Sequence, residues 1–153
     1  MNVNEVMTSE PRTCAPGTSA AEAAGIMLDA DCGILPVVEN GKLIGVVTDR
    51  DLYIALATRN VRASDIAMGD VAQRSVLTCR PEDDVDRALN LMKEHQVRRL
   101  PVQDFDGRLI GIVSMNDIVL ASGPRKPLRE TAVVDTLQGI CAHHQTAPHI
   151  AAA

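Results

Sequence analysis

Leu43-Ile44-Gly45-Val46-Val47-Thr48-Asp49-Arg50-Asp51-Leu52 and Leu109-Ile110-Gly111-Ile112-Val113-Ser114-Met115-Asn116-Asp117-Ile118 follow one pattern. Each begins as an apolar run suited to a strand, with glycine in third place. Each then meets a hydroxyl residue, Thr48 or Ser114, of the kind that caps a helix N-terminus. The Asp three residues later meets the positive end of that helix, close to a capping box. A strand running directly into a helix, written twice, decides the fold.

The match continues upstream. Leu35-Pro36-Val37 repeats as Leu100-Pro101-Val102, Thr13-Cys14-x-Pro16 as Thr78-Cys79-x-Pro81, and Ala23 and Met27 as Ala88 and Met92, all 65 residues apart. One extra residue enters near Asp106, so Gly41, Gly45 and Asp51 pair with Gly107, Gly111 and Asp117 at a spacing of 66. Tandem self-similarity of this kind marks a repeated supersecondary unit.

Each unit reads as β-α-β-β-α. An extended piece ends at Pro16 or Pro81, and a helix follows with Ser19 or Asp83 near its start. Val85, Ala88, Leu89 and Met92 fall on one helical face; Ala20, Ala23, Ala24 and Met27 make a thinner one. Strands at 34–38 and 43–47, and at 100–103 and 109–113, flank turns at Glu39-Asn40-Gly41 and Asp104–Gly107, where glycine is free to take positive φ. The helix opened by Thr48 runs to about Arg59. Asn2–Met7 and Ser64–Ala72 read as short lead-in helices. Ser122-Gly123-Pro124 is a breaker, and Leu128–Cys141 reads as an amphipathic helix with Val133, Leu137, Ile140 and Cys141 on its stripe. The stretch from His143 to Ala153 reads as frayed. The expected fold class is α+β, with a first unit at 1–60, a second at 61–121, and a C-terminal helix and tail at 122–153.

Composition narrows the function. Of 153 residues 46% are hydrophobic and 1% aromatic, so thin aliphatic layers must form the core. The net charge of -5 and the scarcity of rings argue against nucleic acid as a partner, while a local arginine cluster still suits one phosphorylated small molecule. No secretory leader and no run of membrane-spanning length is evident, so a cytoplasmic location is expected, without a membrane partner. The cysteines at 14, 32, 79 and 141 form no C-x-x-C and read as reduced thiols.

The duplicated Leu-Pro-Val, acidic turn and Leu-Ile-Gly-x-Val-(Thr/Ser)-x-x-Asp-(Leu/Ile) resemble the CBS domain, named after cystathionine beta-synthase, over roughly residues 3–121. No catalytic domain is expected beside the pair, as in stand-alone CBS pairs. The resemblance implies two units packed about a pseudo-twofold axis, with two clefts between them. It implies an adenosyl ligand there, AMP, ADP, ATP, S-adenosylmethionine or NAD(H), with no other cofactor required. Such pairs often dimerise.

The resemblance places the ribose on Asp51 and Asp117, whose carboxylates can accept both hydroxyls. Capping alone accounts for the same residues, and both readings can hold together. Thr48 and Ser114, at helix starts, suit a ribose or phosphate oxygen. Arg50, Arg80, Arg98 and Arg99 are candidates for phosphate. Arg98 and Arg99 are expected at the rim of the second unit, where the first has uncharged Gly33 and Ile34, so the clefts should be unequal. An exposed basic pair on a strand edge explains them equally well. Adenine is expected against backbone and apolar walls at Thr13–Ala15 with Ile34–Pro36, and at Thr78–Arg80 with Leu100–Pro101. From the residues alone these are core strands.

Other candidates carry less. Cys14 and Cys79 are equivalent and are expected beside the clefts as buried thiols. Cys141, His143, His144 and His149 lack the spacing of a tetrahedral metal set, and no metal is expected. His95 suits a helix C-terminus, and Glu82-Asp83-Asp84 a helix N-terminus. No P-loop or G-x-S-x-G points to catalysis, so no catalytic residue is assigned. The expected function is a regulatory adenine-nucleotide-binding module, homodimeric and without enzymatic activity, with an unidentified protein partner. The rival is a ligand-free dimerisation or protein-interaction module of a stress response, which the neutral Gly33-Ile34 rim and acidic Asp49 would fit.

Overall fold

The computed structural model describes residues 1–142. Its elements run β1 (Thr8–Ser9), α1 (Ala20–Asp29), β2 (Ile34–Glu39), β3 (Lys42–Thr48), α2 (Asp49–Arg59), α3 (Val85–His95), β4 (Arg99–Gln103), β5 (Leu109–Ser114), α4 (Met115–Ala121) and α5 (Glu130–Cys141). The α+β reading and the tandem repeat hold. The β2–β3 hairpin turns at Asn40-Gly41, with φ of 52° and 79°, the pair of positive values that matches strand twist in a two-residue loop. In the longer β4–β5 turn, the Asp104 carboxylate accepts the N–H groups of Asp106 and Arg108.

Local chemistry sets the helix starts. The Ser19 hydroxyl accepts the Glu22 N–H, and the Glu22 carboxylate reaches back to the Ser19 N–H. At α3 the cap is Asp84, which accepts the Asp86 N–H. Asp83 pairs with Arg87 at 2.6 Å and accepts the Arg80 N–H. The extended piece that opens each unit is a single parallel bridge, Cys14 to Val37 and Cys79 to Val102. Pro16 and Pro81 follow two residues later and have no N–H with which to extend a ladder.

The lead-in segments are exchanged. They are single 3-10 turns at Val3–Glu5, Ala63–Asp65 and Met68–Asp70, not the expected helices. Val3 is fully buried in the second unit's core, with its N–H on the Asp83 carbonyl, while Ile66 and Met68 are buried in the first unit's core. β1 extends the second unit's sheet, Thr8 lying opposite Ile112. Gln73 does the same for the first, exchanging both backbone hydrogen bonds with Val46 at 2.8 and 3.0 Å. These two pairings are equivalent, since Thr8 and Gln73 are 65 apart and Val46 and Ile112 are 66 apart.

The glycine of each motif makes the exchange possible. A Cβ on Gly45 would lie 3.0 Å from both Ala72 Cβ and the Gln73 carbonyl oxygen. One on Gly111 would lie 2.5 Å from Met7 Sδ and 3.0 Å from the Thr8 carbonyl oxygen.

Helix α5 breaks the symmetry by packing on α3. Val133 and Ile140 are buried and Leu137 partly so, but Cys141 is exposed and Thr136 takes its place on the buried stripe. Residues 133, 136, 137 and 140 share one face over two turns, whereas Cys141 sits at its edge as the helix ends. Lys93 bridges to Asp135 at 2.7 Å, and its stem lies where Gly139 has no side chain. Among the described residues no helix is long and apolar enough to cross a membrane.

Candidate functional site: two clefts between the units

The exchange sets the strand-to-helix junction of one unit against the start of the first long strand of the other. Two clefts result. One, of about 450 Å³, is lined by Thr48, Arg50 and Asp51 together with Gln73, Ser75, Val76, Leu77, Gln96, Arg98, Arg99 and Pro101. The other, of about 480 Å³, is lined by Ser114, Asn116 and Asp117 together with Thr8, Glu10, Arg12, Asp31, Cys32 and Pro36. Ile34 and Arg99 reach both. These volumes suit one small ligand each.

Both Asp residues close capping boxes. Asp51 Oδ2 accepts the Thr48 N–H and hydroxyl at 2.8 and 2.7 Å. Asp117 Oδ2 accepts the Ser114 N–H and hydroxyl at 2.8 and 2.6 Å. The carboxylates are thereby fixed at helix starts and half-buried in the cleft walls. Asp51 also accepts the Gln73 amide, at 3.1 Å on Oδ1 and 3.3 Å on Oδ2. Among the described residues no protein group donates to Asp117 Oδ1.

The clefts differ in charge. The Asp51 cleft sets Arg50, Arg98 and Arg99 against Asp51 alone. The Asp117 cleft sets Arg12 and Arg99 against Glu10, Asp31 and Asp117. Arg98 and Arg99, at the start of β4, line the cleft that holds the first unit's Asp51, and Arg99 lines the Asp117 cleft as well, because each cleft is shared between units.

Ile34, Pro36, Thr48, Arg50, Asp51, Arg98, Arg99, Pro101, Ser114 and Asp117 thus come together at the clefts. Thr13, Ala15, Thr78 and Arg80 do not line them. They lie on the extended openings of the units, where the flanking cysteines turn into the cores. The Arg80 guanidinium carbon sits 4.1 Å from the Phe105 ring centroid, with Nη1 buried and unpartnered. Cys14 and Cys79 are likewise core residues, not cleft residues. Burial pushes their thiols up, to about 11 for Cys14 and about 12 for Cys79, the latter with help from the Asp83 charge. Both are protonated near neutrality and poor nucleophiles. His143, His144 and His149 lie outside the described residues, and no cluster of metal-ligating side chains is found within them.

Sequence reasoning missed Gln73, Arg12, Cys32 and Gln96. Counting the 65-residue offset back from the motif would have aligned Gln73 with Thr8, but their place in the clefts depends on the exchange, which no local pattern announces.

The CBS domain model matches residues 3–58 and 68–123. The chain belongs to the CBS domain family. Hypoxic response protein 1 of Mycobacterium tuberculosis is 34% identical to this CBS pair over 120 residues, covering 78% of the chain and 79% of the relative. The CBS domain pair of protein MJ0100, solved in complex with 5'-methylthioadenosine and S-adenosyl-L-methionine, superposes with a TM-score of 0.71 at 29% identity, covering 78% of this chain and 94% of that one. CBSX2 of Arabidopsis thaliana, solved in complex with AMP, gives 0.70 at 31%, with the same coverage of 78% and 94%. This CBS pair spans 84% of the CBS domain-containing protein YhcV of Bacillus subtilis and 21% of an inosine-5'-monophosphate dehydrogenase of Thermoplasma acidophilum.

Proposed function

We propose that this CBS pair is a regulatory module that binds an adenine nucleotide in the clefts between its units and catalyses no reaction. The observation that carries the reading is the duplicated hydroxyl–Asp box, placed in two ligand-sized cavities, one of them rimmed by Arg50, Arg98 and Arg99. Asp51 and Asp117 take the ribose and the arginines take phosphate, whose oxygens match a planar guanidinium fork. Arg80, held on Phe105, is left out of that role. The complexes of MJ0100 and CBSX2 with adenosyl ligands support the ligand class.

Binding is transmitted to α5 through Gln96, which lines the Asp51 cleft and holds the end of that helix. A ligand shifts such an arrangement only through unequal affinity for its two states. The module is a homodimer: Tyr53 and Ile54 on α2, and their equivalents Val119 and Leu120 on α4, expose apolar surface that a second copy covers. Four unpaired cysteines fit a reducing cytoplasm.

Calorimetry with AMP, ATP, S-adenosylmethionine and NADH tests the reading on wild type, Asp51→Ala and Asp117→Ala. Micromolar binding of one ligand, lost in a variant, is expected. The same exposed apolar face, with the Gln73 amide already on Asp51, favours a ligand-free dimerisation module instead. Absence of heat with every ligand, from folded protein, selects that alternative.

A further inference from the structure

The clefts share a motif but not an available anchor. In each, Oδ2 of the Asp is committed to the hydroxyl residue that opens its helix. Oδ1 differs. At Asp51 it accepts Gln73 Nε2 at 3.1 Å. It is the amide nitrogen that faces Asp51, because an ionised carboxylate only accepts. At Asp117 no protein donor reaches Oδ1 among the described residues.

The exposed Gln73 side chain springs from a backbone that is fixed from behind. That backbone is paired in both directions with Val46, and it follows Ala72, whose Cβ lies in the space left by Gly45. The equivalent position in the other cleft is Thr8, held opposite Ile112 in the same way. Threonine is two heavy atoms shorter along its side chain and carries no amide.

Resting on the reading of the clefts as adenosyl sites, we infer that Gln73 is a specificity-determining residue that occupies the ribose anchor of the Asp51 cleft. Unphosphorylated adenosine is therefore held in the Asp117 cleft alone. The Asp51 cleft accepts a ligand only when phosphate on Arg50, Arg98 and Arg99 offsets the loss of the Gln73–Asp51 hydrogen bonds. Hydrogen bonds to a charged group are strong enough for this to weaken ribose binding about ten- to hundredfold.

The test exchanges the two residues and uses adenosine, an uncharged probe, with AMP beside it. Calorimetry on the full chain is expected to show one adenosine per wild-type chain, abolished by Asp117→Asn. Gln73→Thr is expected to open a second adenosine site, which Asp51→Asn removes. Thr8→Gln is expected to weaken the first site about ten- to hundredfold. A packing role for Gln73 would not produce this reciprocal gain and loss. Each exchange is read by itself on protein whose melting shows it folded, so Thr8→Gln decides the matter even where Gln73→Thr does not fold. Adenosine in the Asp51 cleft of wild type, or adenosine stoichiometry and affinity unmoved by the exchanges while AMP still binds, overturns this inference and leaves the nucleotide-binding reading standing. Failure of both adenosine and AMP to bind any folded variant overturns both.

Discussion

Gln96 donates its side-chain amide to the Ala142 carbonyl at 2.7 Å and to the Gly139 carbonyl at 3.1 Å, so a residue at the mouth of the Asp51 cleft closes the last turn of α5. Helix ends leave carbonyls without intrahelical partners, and here the partner comes from the C-cap of α3. Gln96 itself sits in the left-handed region at φ 53°.

Gln96→Asn keeps a residue tolerant of that conformation but draws the amide back by one methylene. It should lower stability by about 1 kcal/mol. Amide hydrogen exchange at the end of α5 should quicken, while α1, packed in the other core, stays unchanged. Uniform exchange across both cores would contradict the link.

Gly45 should resist substitution because a methyl there would meet Ala72 Cβ and the Gln73 backbone, and Gly111 because a methyl there would meet the Thr8 carbonyl oxygen as well as the more yielding Met7 side chain. Gly45→Ala and Gly111→Ala should each cost about 1–3 kcal/mol through overpacking. Ligand affinity should fall in parallel, since the displaced segments line the clefts. Gly25, on the exposed side of α1 with nothing near its missing Cβ, is the contrast: Gly25→Ala should stabilise by about 0.5–1 kcal/mol. Urea titrations of the three variants give the order directly.

The repeat, hairpins and caps were legible because each rests on neighbours in sequence: Asn40-Gly41 turns by its own backbone, and Thr48 caps with Asp51 three residues away. The site was half legible for the same reason. Asp51, Asp117, Thr48 and Ser114 belong to a local box. Gln73 on Asp51 spans 22 residues and needs the exchanged strand to bring it there. Thr13, Ala15, Thr78 and Arg80 were placed beside the clefts by family likeness, yet they flank the two buried cysteines. The α5 stripe differs at one of its four residues, Thr136 in place of Cys141, because a helix end frees its last residue.

The buried thiols give an alkaline signature. The Cys14 and Cys79 thiols are raised from an ordinary 9.0 to about 11 and about 12. An unfolded chain releases these protons first, so the stability they confer is full below pH 9 and is lost as pH climbs through 11 and 12. Cys79→Ala should flatten that limb by on the order of 1 kcal/mol, measured as melting temperature against pH. At pH 8 a thiol reagent should modify exposed Cys141 first and Cys32 next, with Cys14 and Cys79 reacting only on unfolding. Ligand in the Asp117 cleft should slow Cys32 alone, because only Cys32 lines it.

Leu120 and Tyr53 are 76% and 73% exposed on helices of matching position, a large exposure for a chain whose Phe, Tyr and Trp number two. Burying a Leu or aromatic side chain is worth about 1.5–3 kcal/mol, and a twofold dimer counts each contact twice. Leu120→Glu places a charge where the second copy would sit and removes that gain, whereas Leu28→Glu, equally exposed but on α1, leaves the face intact. Sedimentation velocity should show the first variant as a monomer and the second as a dimer at the same concentration. Dimers in both would place the contact on another surface, and monomers in wild type would leave α2 and α4 for a different protein.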